Sequence, residues 1–141
     1  MTAPNEAVFR RLTLPAHGDA WQRLGESLQI IRDLRTRRVV RHTLVQGWNL
    51  GWEDQYAELD SIARPDFIEP KGYVYMGKSR QRLSWMHVPS HEAIRSFAKR
   101  LAARTEYRIL DESPDSKVVL LGLREEGRFL PGLEPAAAPA G

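Results

Sequence analysis

The sequence predicts an α/β fold, and three observations predict it. Helical and extended segments alternate along the chain, the extended segments are rich in β-branched residues, and glycine or proline punctuates their junctions. Three successive helix–strand pairs follow the order of parallel α/β architecture, either an open sheet or part of a larger barrel. They are too few for a closed eight-stranded barrel. The 141 residues suit one domain, and 42% apolar with 28% charged residues describes an ordinary globular chain.

From Asp19 a helical period begins, with Trp21, Leu24, Leu28, Ile31 and Leu34 recurring at steps of three and four. Asp19 is the expected N-cap with Gln22 in the reciprocal position, and Arg35-Thr36-Arg37-Arg38 the expected C-terminal end. Val39-Val40-Arg41-His42-Thr43-Leu44-Val45 reads as a strand, followed by the loop Gly47-Trp48-Asn49-Leu50-Gly51. A second helix runs over residues 53–63, with Tyr56, Leu59, Ile62 and Ala63 on one side, and Arg64-Pro65-Asp66 stops it. Phe67-Ile68-Glu69 opens a strand expected to be interrupted or bulged at Pro70 and continued by Tyr73-Val74-Tyr75-Met76. Residues 77–86 form a polar, basic loop. A third helix, capped by Ser90, carries the stripe Ile94, Phe97, Ala98 and Leu101. Residues 107–110 and 117–123 read as two strands around Ser113-Pro114-Asp115-Ser116. The chain divides into a leader (1–18), an α/β unit (19–123) and a Pro/Ala/Gly-rich tail (124–141) expected to remain disordered.

The absence of cysteine excludes a disulfide framework, a thiolate zinc site, a cysteine nucleophile and a cysteine-bound iron–sulfur cluster. No stretch has the length and apolarity of a membrane span and the N-terminus lacks a signal pattern, so a cytoplasmic address is expected. Net charge is only +3, but the cations cluster: Arg32 to Arg41, then Lys78, Arg80 and Arg82, then Arg95 to Arg108. Such clusters suit a polyanion such as RNA, or equally a set of solvated faces.

His87 and His91 have the i, i+4 spacing of metal ligands, but Pro89 separates them and a third ligand is missing, so no metal site is expected. The adjacent carboxylates Glu53-Asp54 and Asp111-Glu112 do not face one another, and the first pair suits a helix N-terminus. Gly47-Trp48-Asn49 directly follows a strand, where glycine lets the backbone approach a ligand; it reads as a ligand crevice or as a tight turn with Trp48 as a core plug. Lys71, past a strand opening, reads as an anion holder or Schiff-base lysine, or as a surface lysine. No phosphate-cradling G-x-x-x-x-G-K-[ST] motif is present.

Read together, several segments resemble the radical S-adenosylmethionine enzymes that make 4-demethylwyosine in tRNA. They are Trp21-Gln22-Arg23 with Ser27-Leu28; Thr43-Leu44-Val45-Gln46-Gly47-Trp48-Asn49; Pro65-Asp66-Phe67-Ile68-Glu69 with Lys71-Gly72; Gly77 with Ser79; M-H-V-P-S-H-E over residues 86–92 with Phe97; and Glu106-Tyr107-Arg108-Ile109 with Glu112 and Ser116. The resemblance implies the C-terminal portion of a partial TIM-type barrel followed by the wyosine-forming region, with the leader as the end of a truncated barrel strand. Proline at position 70 departs from the aliphatic residue common in the family. The resemblance further implies that Val45, Gly47, Trp48 and Asn49 pack on S-adenosylmethionine and that Glu69 and Lys71 lie near the reacting substrates, pyruvate and an N-methylguanosine beside the anticodon of phenylalanine tRNA. Lys78, Arg80, Arg82, Trp85 and His91 would meet RNA. The family's iron–sulfur cluster rests on a C-x-x-x-C-x-x-C motif that this chain lacks. A cluster-bearing N-terminal half is therefore the implied partner, and the chain alone is not expected to be active. A non-catalytic tRNA-binding or accessory module is the competing reading.

Overall fold

Alternating burial makes Val39–Leu44 the first strand, β1: Val40, His42 and Leu44 turn inward while Val39 and Arg41 face out. Before it stand α1 (Glu6–Thr13) and α2 (Ala20–Asp33). After it come α3 (Glu53–Ala63), β2 (Phe67–Gly72), two short 3-10 turns (Gly77–Gln81 and Trp85–His87), α4 (His91–Ala102), β3 (Arg108–Ser113) and β4 (Val118–Gly122). The structure, a computed structural model, describes residues 1–129; most of the tail expected to be disordered, residues 130–141, lies outside the described residues. Residues 124–129 are placed against β3, where Arg128 pairs with Asp111 at 3.2 Å.

The strands form one mixed sheet in the order β1-β2-β4-β3. β1 and β2 are parallel, whereas β4 is antiparallel to both β2 and β3. β1, β2 and β3 therefore run the same way, as the alternation suggests, and the correction to a parallel sheet is β4, which enters between β2 and β3 antiparallel to both. Residues 114–117 alone join β3 to β4, too short a link for the crossover that parallel neighbours need. β2 also runs unbroken through Pro70, which sits opposite His42 in an unshifted register. Its missing N–H is tolerated because the β2–β4 ladder bridges at Phe67, Ile68 and Lys71 and passes over it. The bulge falls instead in β3, between Ile109 and Asp111. Nor does the strand continue to Met76: beyond Gly72 only the Tyr73 N–H still reaches β1, at the Leu44 carbonyl (2.8 Å).

α2, α3 and α4 pack on one face of the sheet. The α4 stripe Ile94, Phe97, Ala98 and Leu101 is fully buried against Leu44, Tyr56, Ile68, Val119 and Leu121. A smaller cluster of Leu28, Val40 and Ala63 seats α2 and α3 on β1. Each large side chain so buried contributes about 1.5–3 kcal/mol. His42 is the polar member of the inward row of β1. Its Nε2 lies 2.9 Å from Asp60 Oδ2, under the Tyr56 ring, and both residues are buried. Burial here raises the Tyr56 phenol far above its ordinary range.

The opposite face carries Arg41, Thr43, Glu69, Lys71, Val118 and Leu120, and no helix among the described residues covers it. At its lower end the Phe67 ring and Leu110 close over Gly122, where a Cβ would lie 2.6 Å from Leu110 Cδ1. β1 is the edge strand. Against it the main chain of Met1 pairs in parallel fashion: its amino group donates to the Arg41 carbonyl, and its own carbonyl accepts from Thr43 N–H at 3.0 Å.

The leader contains a helix that its sequence did not announce. Asn5 caps α1 by accepting from Val8 N–H (3.0 Å) and ties it to α3 by donating to Gln55 (2.6 Å). Asp19 makes no side-chain cap on α2; it pairs with Arg23 one turn on. α2 ends at Asp33, before the basic run. Glu53 and Asp54 do occupy the first turn of α3, where Arg100 of α4 and Arg104, just past the end of α4, neutralise them. No helix among the described residues is long and apolar enough to cross a membrane.

Candidate functional site

Parallel strands end together, so the loops after β1 and β2 emerge side by side. Thr43 sits opposite Lys71 and Leu44 opposite Gly72, which brings the Val45–Asn49 segment next to the end of β2. The second 3-10 turn joins the same end. Gln46 N–H donates to the His87 carbonyl (2.9 Å), and the His87 ring meets Trp48 edge-on with centroids 6.0 Å apart. Pro89, at the entry to α4, packs on Gly72 so closely that an added Cβ would lie 3.2 Å from its ring. The β3–β4 turn closes the group, because Lys71 Nζ donates to the Ser116 carbonyl at 2.8 Å. The 45–49 loop, the Lys71-Gly72 end of β2, the 87–89 segment and the β3–β4 turn therefore gather at one end of the sheet, yet the roles of their residues differ.

Asn49 is buried and its amide is fully committed. Its Oδ1 accepts from Val45 N–H (2.6 Å), and its Nδ2 donates to the carbonyls of Thr2 and Thr43 (2.8 Å each). It staples the loop to β1 and to the leader, leaving no polar atom free for a ligand. Val45 is buried and has spent its N–H on that staple. Gly47 is different: its φ of +75° is a conformation that glycine adopts without strain, and the space where a Cβ would stand is empty. Trp48 is half-buried, with the Arg11 guanidinium 4.7 Å above its ring. Among the four residues of this loop singled out in the sequence, the space at Gly47 and the half-buried Trp48 side chain are thus what the internal hydrogen bonds leave uncommitted. For an iron–sulfur cluster the residues do not fit, since the chain has no thiolate.

Glu69 and Lys71 lie two apart on β2 and so point to the same, helix-free face. Glu69 accepts from Arg41 Nε at 2.7 Å, which balances its charge across the strand pair. Lys71 is half-buried beside it, its ammonium anchored on one backbone carbonyl.

The cations of the basic loop differ in their contacts. Arg82 reaches back to α1 and donates to the carbonyls of Arg11 (2.9 Å) and Leu12 (3.1 Å), satisfying groups that a helix C-terminus leaves open. Arg80 lies 5.1 Å over the Tyr75 ring, and Lys78 has no ion-pair partner among the described residues. Trp85 is largely exposed, with Tyr75 at 4.9 Å. His91 opens α4 but turns to Glu112 of β3 (3.0 Å), which Arg95 also contacts (3.2 Å). Sequence reasoning passed over Tyr75 and Arg11, which support Trp85 and Trp48, and weighed His87 as a metal ligand rather than as a neighbour of Trp48. The Tyr73/Tyr75 alternation was the only signal for Tyr75, and it reads as a strand. Among the described residues no group of three or more His, Asp or Glu is placed to hold a metal ion.

The chain is thus a small mixed α/β domain with a four-stranded sheet, and a family model described as wyosine base formation matches residues 62–122, from the end of α3 through β4. An S-adenosyl-L-methionine-dependent tRNA 4-demethylwyosine synthase of Pyrococcus horikoshii is 41% identical over 139 residues, covering 92% of this chain and 41% of that protein. The enzyme of the same name from Arabidopsis thaliana is 36% identical over 127 residues, covering 88% of this chain and 20% of that protein. A solved structure of TYW1 with a lysine–pyruvate adduct bound superposes with a TM-score of 0.75 at 29% identity, over 86% of this chain and 38% of that one. The chain belongs to the tRNA 4-demethylwyosine synthase family, and it spans about two-fifths of the length of its Pyrococcus relative.

Proposed function

We propose that this chain supplies the C-terminal part of a tRNA 4-demethylwyosine synthase and works in complex with the part that carries the iron–sulfur cluster. The observation that carries the reading is the one-sided sheet. Helices cover one face, the other is bare and bears Glu69 and Lys71, and edge strand β1 is already paired in parallel by Met1. Further parallel strands, from the same polypeptide or from a partner chain, would extend that edge into a partial TIM-type barrel. Its interior would then be the face of Glu69 and Lys71.

In that assembly S-adenosylmethionine would lie against Gly47 and Trp48, with Asn49 holding the loop in position rather than touching the cofactor. Lys71 and Glu69 would face the reacting groups, pyruvate and the guanosine next to the anticodon of phenylalanine tRNA. A lysine can hold pyruvate's carboxylate as a point charge or condense with its ketone. The structural relative carrying a lysine–pyruvate adduct favours placing pyruvate near a lysine, and Lys71 is this chain's candidate. Lys78, Arg80, Trp85 and His91 lie at the same end and would form the approach for tRNA, in the cytoplasm.

Co-expression with a cluster-bearing N-terminal half of the family tests this. The expected outcome is a soluble complex with a raised melting temperature that forms 5′-deoxyadenosine after anaerobic reconstitution, while the chain alone forms none. A monodisperse, high-melting monomer that ignores the other half would refute the proposal and leave a stand-alone tRNA-binding module.

A further inference from the structure

Met86, Trp85 and Met76 are the three most exposed large apolar side chains among the described residues, at 82%, 72% and 64%. They lie close together in sequence, on the segment between β2 and α4. The turn that carries this open indole is held by hydrogen bonds to its backbone and to His87. Ser84 N–H donates to His87 Nδ1 (2.9 Å), Val88 N–H closes the turn on the Trp85 carbonyl (3.1 Å), and Gln46 N–H pins the His87 carbonyl from the neighbouring loop. Tyr75 supports the indole at 4.9 Å and Arg80 supports Tyr75 in turn. Tyr73 and Ser79 share a hydrogen bond (2.7 Å) that ties the first turn to the end of β2.

Charge singles out the occupant. Residues 73–91 contain no Asp or Glu, but they hold Lys78, Arg80 and Arg82. Arg82 is spent on α1. Lys78 and Arg80 remain beside an open aromatic face, which is the chemistry of a nucleotide: phosphate for the cation, base for the ring. An apolar peptide would match Met76 and Met86 but would leave the cations unanswered.

We propose that Trp85, backed by Tyr75 and Arg80, is a preformed platform on which one unpaired nucleobase of the RNA stacks, with Lys78 holding an adjacent phosphate. The inference rests on the reading that the chain acts on tRNA, and it assigns a different task to each residue: stacking to Trp85, charge to Lys78. Stacking on Trp85 neutralises no phosphate, so its contribution is insensitive to salt.

The test uses the full chain and three probes: a single-stranded RNA octamer, the same octamer with abasic sites throughout, and a blunt RNA duplex. Trp85→Ala is expected to weaken octamer binding roughly five- to a hundredfold without changing the slope of log K against log salt. Trp85→Phe should recover most of the loss. Lys78→Ala should lower the slope by about 0.7. The abasic octamer should bind wild type and Trp85→Ala alike, and the duplex should show no dependence on Trp85. If Trp85→Ala binds the octamer as wild type does while Lys78→Ala still lowers the slope, the platform is refuted and the RNA reading stands. If wild type binds none of the probes and its Trp85 fluorescence is already shielded from acrylamide, both fail, and the patch is an apolar protein contact.

Discussion

Asn49→Ala separates a staple from a ligand contact. The substitution removes three hydrogen bonds and leaves the Val45 N–H and the carbonyls of Thr2 and Thr43 without this partner in a buried site. At about 1 ± 0.5 kcal/mol per bond the loss is about 1.5–4.5 kcal/mol, a large share of the ~5–15 kcal/mol that keeps a domain folded. Urea unfolding reads it directly. With a slope of about 2 kcal/mol per molar, the middle of the usual range, the midpoint should fall by roughly 0.75–2.25 M while the slope stays fixed. Asn49→Asp sharpens the result: it keeps the acceptor for Val45 N–H but aims a carboxylate oxygen at two carbonyls, so it should cost at least as much as alanine. A midpoint within about 0.3 M of wild type for Asn49→Ala would refute the staple and return Asn49 to the cofactor.

Gly122→Ala forces a methyl to within 2.6 Å of Leu110 and 2.9 Å of Phe67, so thermal unfolding should show a loss of about 1–3 kcal/mol. Asp66 accepts from Arg38 (3.0 Å), and that hydrogen bond holds its carboxyl below the ordinary range. Its stabilisation is therefore complete above the unfolded value near 3.9 and is lost as pH falls through the lower folded value. Asp66→Asn should flatten the acid limb of a stability–pH profile below about pH 4 and lower the plateau at neutral pH. Tyr107, pushed up to about 12 chiefly by burial, should stay protonated in a spectrophotometric titration through pH 11, where exposed phenols ionise. Arg82→Ala should destabilise α1, seen as reduced helical ellipticity or faster amide exchange at Arg11 and Leu12, yet leave the salt dependence of RNA binding unchanged.

What could be read from the sequence was whatever depends on local period. The α4 stripe from Ile94 to Leu101 and the alternation of β1 appear in the structure because spacing alone determines which side chains share a face. That the Gly47-Trp48-Asn49 loop directly follows a strand was legible too, and the parallel pairing of β1 with β2 sets it beside the end of β2. The antiparallel entry of β4 between β2 and β3 was missed although the short link over residues 114–117 encodes it; the repeating helix–strand rhythm outweighed it. Roles set by distant partners were not legible. Asn49 looks like a ligand contact until Thr2, 47 residues upstream, is seen to accept its amide, and Arg82 looks like an RNA contact until α1 is placed beneath it. The helix α1 itself is short, and its tertiary ties, Asn5 to Gln55 and Arg82 to its C-terminus, are as much a part of it as its propensity.

The strand order β1-β2-β4-β3 also governs when the sheet can be completed. β2 finds its first neighbour 28 positions back, at Val39, but its second neighbour, Gly122, lies 55 positions ahead of Phe67. As the chain leaves the ribosome, the last strand made is the one that must enter the middle. Until it arrives, β2 presents a row of unpaired N–H and C=O groups and the α4 stripe lacks Val119 and Leu121. A nascent chain stalled before residue 118 is thus an open template, exposed to chaperones and to other strands alike, and the hairpin that closes it forms locally within about ten microseconds once released.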